Sequence, residues 1–190
     1  MGLTCTETDI AGVLVVEGSQ FLDVRGWFRR MWDVSLHTSL LPPGMSWAQE
    51  NQLRSCERAI RGFHFRGDLI EWKLVYVVSG EAYDVVVDIR PNSPSFLRWQ
   101  AFVLDERRNQ QILIPPGCAH GIQALSQKID FVLWTSVPYD SAKDFGFAWN
   151  DPTLNVPWPL QPPVLSERDR AAERVETLIP RLHDWFTEST

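Results

Sequence analysis

Tyr83-Asp84-Val85-Val86-Val87-Asp88 is the stretch from which the fold is read. In an extended backbone successive side chains point to opposite faces, so Asp84, Val86 and Asp88 share one face and Tyr83, Val85 and Val87 the other. The β-branched run and the preceding turn-former pair Ser79-Gly80 mark a strand. Similar short apolar runs lie on both sides of it: Val13–Val16, Trp27–Trp32, Ile60–Phe65, Trp72–Val78, Trp99–Leu104, Gln111–Ile114, Gly121–Leu125 and Phe131–Trp134. Gly, Pro, Asn and Ser separate them at fairly regular intervals, which predicts an all-β sandwich or barrel. Only two segments read as helical. One is Ser35–Leu41 ahead of Pro42-Pro43, and the other is a C-terminal tail over about 166–188. In the tail, Ser166 followed by Glu167 and Asp169 has the form of a helix start, and Pro180 is expected to break or kink the helix. The Pro-rich stretch 151–163 is expected to be an ordered loop, because exposing Trp149 and Trp158 around it would be costly.

A chain of 190 residues is long enough for one well-buried core and short for two, so residues 1–190 are expected to form a single domain. With 44% hydrophobic residues and no apolar run near the roughly 20 that a spanning helix needs, a soluble protein is expected. The net charge of −6 argues against nucleic acid or anionic membranes as partners, while leaving room for a small anionic ligand held by local arginines. Cys5, Cys56 and Cys118 have no motif spacing, and the N-terminus lacks a basic segment followed by an apolar core; both predict a cytoplasmic protein with reduced thiols.

The chemistry-bearing stretch is Arg61-Gly62-Phe63-His64-Phe65, with Lys73 on the next apolar run. A lone histidine on an aromatic strand is by default a hydrogen-bonded core residue. Here its neighbours favour a role as a base, since Lys73 sits among Trp72, Leu74, Val75 and Tyr76 and must either snorkel, keep an edge strand soluble or face a polar cavity. Pairing of strands 60–65 and 72–78 would bring His64 and Lys73 to one interior. Such an arrangement suits proton abstraction next to a carbonyl, because an enolate oxygen gains most from a fixed cation in a water-poor pocket. No Walker loop, Gly-x-Gly-x-x-Gly fingerprint, Gly-x-Ser-x-Gly elbow or Cys-x-x-Cys pair occurs, so nucleotide-cofactor folds are disfavoured.

Ile114-Pro115-Pro116-Gly117-Cys118-Ala119-His120-Gly121 resembles the Pro-x-Gly-x-x-His turn of the cupin barrels. A metal-binding cupin would also show a His-x-His pair, where this chain has His64-Phe65-Arg66, so a metal-free site is expected. Further blocks are Asp23-Val24-Arg25-Gly26, Gln49-Glu50-Asn51, Lys73-Leu74-Val75, Ser93-Pro94-Ser95-Phe96, Trp149-Asn150-Asp151-Pro152, Trp158-Pro159-Leu160 and Leu165-Ser166-Glu167-Arg168-Asp169. Together, from about Phe21 to Arg170, the chain resembles the dTDP-4-dehydrorhamnose 3,5-epimerases and their relatives. The resemblance implies a double-stranded β-helix, the cupin jelly roll, with a few short helices. It implies a homodimer with an exchanged N-terminal strand, no cofactor, and a nucleotide-linked 4-keto-6-deoxyhexose as substrate, epimerised at C3, C5 or both through an enolate. By position, His64 is then the base, Asp169 the carboxylate that orients it, and Lys73 the cation at the C4 oxygen. Arg25, Gln49, Asn51, Arg61, His120 and Arg168 match positions that hold the diphosphate, nucleoside or sugar hydroxyls; Tyr139 and Asp144 also fall among the substrate-binding positions.

Three positions depart from the family pattern. The general-acid tyrosine falls at Leu133, a second tyrosine that stacks on the nucleobase falls at Pro138 with Tyr139 retained beside it, and a glutamate near the nucleobase falls at Arg30. The returning proton would then come from water or from the hydroxyl of Tyr76, Tyr83 or Tyr139, or only one carbon would be inverted. Isomerisation or elimination through the same enolate, and a sugar-nucleotide-binding homologue without catalysis, are the alternatives. Trp27, Trp72 and Trp134 lie close enough to matched positions to be expected in a pocket lining.

Overall fold

The computed structural model describes residues 3–188. In chain order the strands are β1 (Leu3–Glu7), β2 (Leu14–Gly18), β3 (Gln20–Asp23), β4 (Gly26–Arg29), β5 (Gln49–Cys56), β6 (Ile60–Arg66), β7 (Lys73–Ser79), β8 (Glu81–Asp88), β9 (Trp99–Asp105), β10 (Gln110–Ile114), β11 (Cys118–Ala124), β12 (Lys128–Thr135) and β13 (Asp144–Gly146). The helices are α1 (Val34–Thr38), α2 (Glu167–Arg170) and α3 (Val175–Glu188). Two antiparallel sheets face each other, one ordered β1-β2-β10-β7-β12-β5 and the other β13-β6-β11-β8-β9, and β3-β4 forms a separate hairpin. This is the jelly roll of the cupins.

Strand β8 explains how the layers stack. Val86 and Ala82 point inward to meet Val75, Val77, Ile112 and Phe131 of the facing sheet. Val85 and Val87 point outward, into a second cluster with Phe63, Phe65, Phe147, Trp158 and the α3 residues Val175, Leu178 and Leu182. A strand covered on both faces needs consecutive apolar residues, which accounts for its three successive valines. At about 25 cal/mol per Å² of apolar surface, each fully buried valine stabilises the fold by roughly 1.5–3 kcal/mol as an upper estimate.

The same outer cluster holds the Pro-rich loop in order: Trp158 donates its indole N–H to the Trp149 carbonyl at 2.7 Å. The Asp151 carboxylate accepts the backbone N–H of Val175 at 2.8 Å and so fixes the start of α3.

The tail is two helices rather than one, since residues 171–174 interrupt it. Helix α3 also runs through Pro180 instead of ending there. The proline removes only one backbone donor, and the buried Val175, Leu178 and Leu182 anchor the turns on either side. The first helix starts a residue earlier than Ser35 because Asp33 caps it, accepting the N–H groups of Ser35 and Leu36.

Glycine is required where β6 crosses β11. Gly62 has φ +124, and a Cβ there would lie 2.6 Å from the Gly121 Cα and from the His120 carbonyl oxygen. With the strands this close, His120 pairs opposite His64 on one side and Val86 on the other, so all three face the barrel interior.

Candidate active site

His64 reaches the interior because Phe63 and Phe65 take the outer face, where both are buried among Phe147, Trp158 and Trp185. Its ring Nε2 lies 2.6 Å from Asp169 Oδ1. That carboxylate is delivered by the short helix α2. Ser166 caps the helix by accepting the Asp169 N–H at 3.0 Å and donates its own hydroxyl to Asp169 Oδ2 at 2.9 Å. Burial alone would push the Asp169 carboxyl up, but the His64 ring, the Ser166 hydroxyl and nearby Arg168 more than offset it and hold it below the usual carboxylate range. With Nε2 engaged by a carboxylate, Nδ1 is the ring nitrogen left to take a proton.

Lys73 comes from the other sheet. Strands β6 and β7 are not paired, contrary to the expectation from sequence; the lysine and His64 meet across the interior instead. Lys73 is 8% exposed, and its Nζ lies 3.3 Å from the His64 carbonyl oxygen and 3.3 Å from Glu71 Oε2. A buried ammonium needs such oxygens around it.

These groups line a cavity of about 150 Å³ together with Gln49, Asn51, Leu133, Thr135, Tyr139 and Asp144. Register explains the selection. On β12, Leu133 and Thr135 oppose Val75 and Lys73 of β7 and Asn51 and Gln49 of β5, so these positions share the inward face. Gln49 donates to Asn51 Oδ1 at 2.9 Å and accepts the Tyr139 N–H at 2.9 Å, tying the 137–144 loop to the cavity wall. Asp144 accepts from Arg168 at 2.5 Å and from the Tyr139 hydroxyl at 3.2 Å. Burial opposes its ionisation, yet Arg168, His64 and Tyr139 draw its carboxyl below the usual range. The Asp144 charge in turn pushes the Tyr139 phenol up.

A second cavity, of about 430 Å³, adjoins the first through His64 and is lined by Arg54, Arg61, Arg168 and Asp169. Arg61 lies there rather than beside Lys73, held by Ser55 Oγ at 2.9 Å and the Arg54 carbonyl at 3.2 Å. Two anticipated ligand contacts line neither cavity. His120 is buried against Asp84, Nε2 to Oδ2 at 2.6 Å. Arg25 is exposed at the tip of the β3-β4 hairpin, paired with Asp23.

Of the three tyrosines, Tyr139 alone lines the cavity. Tyr76 sits on the face of β7 opposite Lys73, and Tyr83 packs against Trp158 outside the barrel, so neither is a proton source for this site. The expected tryptophan lining is also absent. Alternation sends Trp134 outward, where it stacks on Trp32 with centroids 4.0 Å apart and joins Trp72, while Trp27 is exposed on the hairpin. Arg66, Asp140, Lys143 and Glu71 also line the cavity without having been expected from sequence, and Glu71 is the one held against Lys73. Its signal was local: in an extended chain residue 71 points the same way as residue 73, so a carboxylate accompanies the buried lysine.

Fold and site together define a jelly-roll enzyme whose histidine–carboxylate pair faces a buried lysine. The profile of the dTDP-4-dehydrorhamnose 3,5-epimerase family matches residues 7–177. The dTDP-4-dehydrorhamnose 3,5-epimerase of Escherichia coli K12 is 37% identical over 174 residues, covering 90% of this chain and 94% of the relative. The Legionella pneumophila 3,5-epimerase, solved with dTDP-4-keto-L-rhamnose, superposes with a TM-score of 0.88 at 32% identity, over 95% of this chain and 96% of that one. A 3'-monoepimerase from Streptomyces bikiniensis, solved with dTDP-quinovose, gives 0.84 at 28% identity, over 95% and 94% of the two chains. The chain belongs to the dTDP-4-dehydrorhamnose 3,5-epimerase family, and it is a carbohydrate epimerase of deoxysugar biosynthesis.

Proposed function

We propose that the protein epimerises a dTDP-linked 4-keto-6-deoxyhexose, at one carbon next to the ketone, with His64 as the base. The observation that carries the reading is the His64–Asp169 contact of 2.6 Å on one sheet, facing the Lys73 ammonium from the other. Nδ1 of His64 takes the proton from C3 or C5, and the C–H electron pair moves into an enolate whose C4 oxygen meets Lys73. Because the cation is already fixed, little reorganisation opposes charge development there. Gln49, Asn51, Tyr139 and Asp144 contact the bound ligand in the first cavity, and Arg61 and Arg168 offer the bidentate geometry that a diphosphate takes in the second. Inversion at a single carbon is favoured by Leu133, which places an apolar side chain on the cavity wall where a phenol would return a second proton.

The family's dimer is proposed for this chain as well. The β3-β4 hairpin leaves Leu22 78%, Trp27 52% and Phe28 59% exposed, a surface that a second copy would cover. An exchanged β1 would take the edge position that β1 holds beside β2. Arg25, at the hairpin tip, would touch substrate only across that interface. A cytoplasmic location agrees with Cys5, Cys56 and Cys118 all being free thiols, and no described helix is long and apolar enough to cross a membrane.

The test is incubation with dTDP-4-keto-6-deoxyglucose in D₂O, with deuterium at C3 and C5 followed by NMR. Exchange with inversion at one carbon is expected, and His64→Ala should abolish it. Exchange with a displaced carbonyl would make the protein an isomerase, and binding without exchange would remove the catalytic reading for this substrate.

A further inference from the structure

An epimerase that removes a proton with His64 must return one to the opposite face of the carbon, and the wall that faces His64 carries no phenol at position 133. The other hydroxyls and acids around the cavity are committed. Tyr139 donates to Asp144 at 3.2 Å, and that carboxylate makes its phenol a weaker acid. Thr135 donates its hydroxyl to the Val137 carbonyl at 2.8 Å. Asp144 is paired with Arg168, and Asp140 accepts the Ala142 N–H at 2.9 Å. Gln49 and Asn51 are amides and have no proton to give at neutral pH. Arg66 is paired with Asp68 at 2.7 Å, and Lys143, although it lines the cavity, is exposed. Among the described residues that leaves one buried proton-bearing pair beside His64, Lys73 with Glu71, 3.3 Å apart and with side chains only 10% and 12% exposed.

We propose that this pair returns the proton, with the Lys73 ammonium as donor and Glu71 as the positioning residue that holds it. The proposal rests on the epimerase mechanism given above and adds a second role to Lys73. Its geometry is that of a two-sided proton transfer: His64 and Lys73 belong to opposite sheets, and a sugar ring between the sheets has one on each side. The C–H bond breaks toward His64 Nδ1 and the electron pair forms the enolate. An Nζ–H bond of Lys73 then breaks as a new C–H bond forms on the other face, and the enolate returns to the C4 ketone. The neutral amine regains a proton from water by way of the Glu71 carboxylate, which lines the cavity beside it, and His64 releases its proton to water. The substrate keeps its composition and carries one hydrogen from solvent.

The experiment uses the full-length protein with dTDP-4-keto-6-deoxyglucose in D₂O and reads exchange and inversion at the same carbon separately. Glu71→Gln, which conserves size, should lower inversion about 10- to 100-fold, up to the low end of the roughly 10²–10⁴-fold lost with a general acid itself, while exchange falls less than about threefold. His64 can still remove a proton and redeliver deuterium to the same face, so exchange with retention is the signature of the variant. Glu71→Asp keeps a carboxylate and should recover part of the inversion. Parallel loss of exchange and inversion in Glu71→Gln, inversion equal to wild type, or no recovery with aspartate each overturns the proposal alone. A wild-type protein that neither exchanges nor inverts refutes the underlying mechanism and the proposal with it.

Discussion

Replacing Asp169 by asparagine should impair proton abstraction more than replacing it by alanine, and the local hydrogen bonds say why. Asp169 Oδ1 faces His64 Nε2 at 2.6 Å while Oδ2 accepts the Ser166 hydroxyl at 2.9 Å. The Ser166 oxygen already accepts the Asp169 N–H, so its single proton goes to the side chain. An asparagine that preserves the serine bond puts its carbonyl toward Ser166 and its NH₂ toward His64. The amide then donates to Nε2, which forces the proton onto Nδ1 and removes the lone pair that the proposed mechanism uses to abstract from carbon.

Alanine removes the orienting bond without imposing a tautomer. Loss of a hydrogen bond to a charged group costs about 1.5–3 kcal/mol, which is roughly a 10- to 150-fold drop in rate at 1.36 kcal/mol per tenfold. Asparagine should instead forfeit general-base catalysis itself, about 10²–10⁴-fold. Deuterium incorporation into substrate by NMR, with substrate saturating and folding checked by thermal unfolding, measures both. The reasoning is refuted if the asparagine variant exchanges as fast as the alanine variant or faster.

Leu133→Tyr should raise inversion by about 10-fold or more, since it places a phenol on the cavity wall opposite His64, and overpacking beside Phe131 and Val75 should cost about 1–3 kcal/mol; product ratios by NMR and a melting curve read the two effects. Asp88→Asn should lower Tm by about 6–20 °C, because Asp88 is fully buried and accepts from Arg90, Ser93 and Ser95, and breaking such a pair costs about 3–5 kcal/mol. Burial raises the Asp88 carboxyl, but Arg90 and the two serines outweigh it and leave it below the usual range. Its stabilisation is therefore complete above the unfolded-state value of about 4 and is lost as pH falls through the folded value, so the Tm gap between wild type and variant should close in acid. A gap that stays constant from neutral pH into acid would show that the charge on Asp88 is not what stabilises the fold.

The strands that were legible in the sequence are those with apolar residues along at least one face. Strand β8 shows its pattern because both its faces are buried in hydrophobic clusters. Strand β5 does not, since its inward positions include Gln49 and Asn51, amides turned toward the cavity, and only Leu53 gives it an apolar inward side chain. The pattern is lost there, so β5 is not read as a strand, and Gln49-Glu50-Asn51 enters only as a block of the family resemblance. The site residues follow a complementary rule. His64 and Lys73 drew notice because each breaks an apolar run, and a polar group inside such a run is tolerated only with partners. Yet Asp84 and Asp88 break a run in the same way, and neither lines the cavity: one holds His120 and the other a serine and arginine cluster. Interruption of a run therefore marks a buried polar group without saying what it serves. What separates the two cases is the partner and the space beside it, and those are set by topology. His64 and Asp169 are 105 residues apart in the chain and meet only because α2 is docked at β6. Glu71 lies two residues from Lys73, close enough for sequence alone to pair them. Its proposed role arises only once Leu133 is seen on the same cavity wall, where the side chain is apolar and has no proton to give.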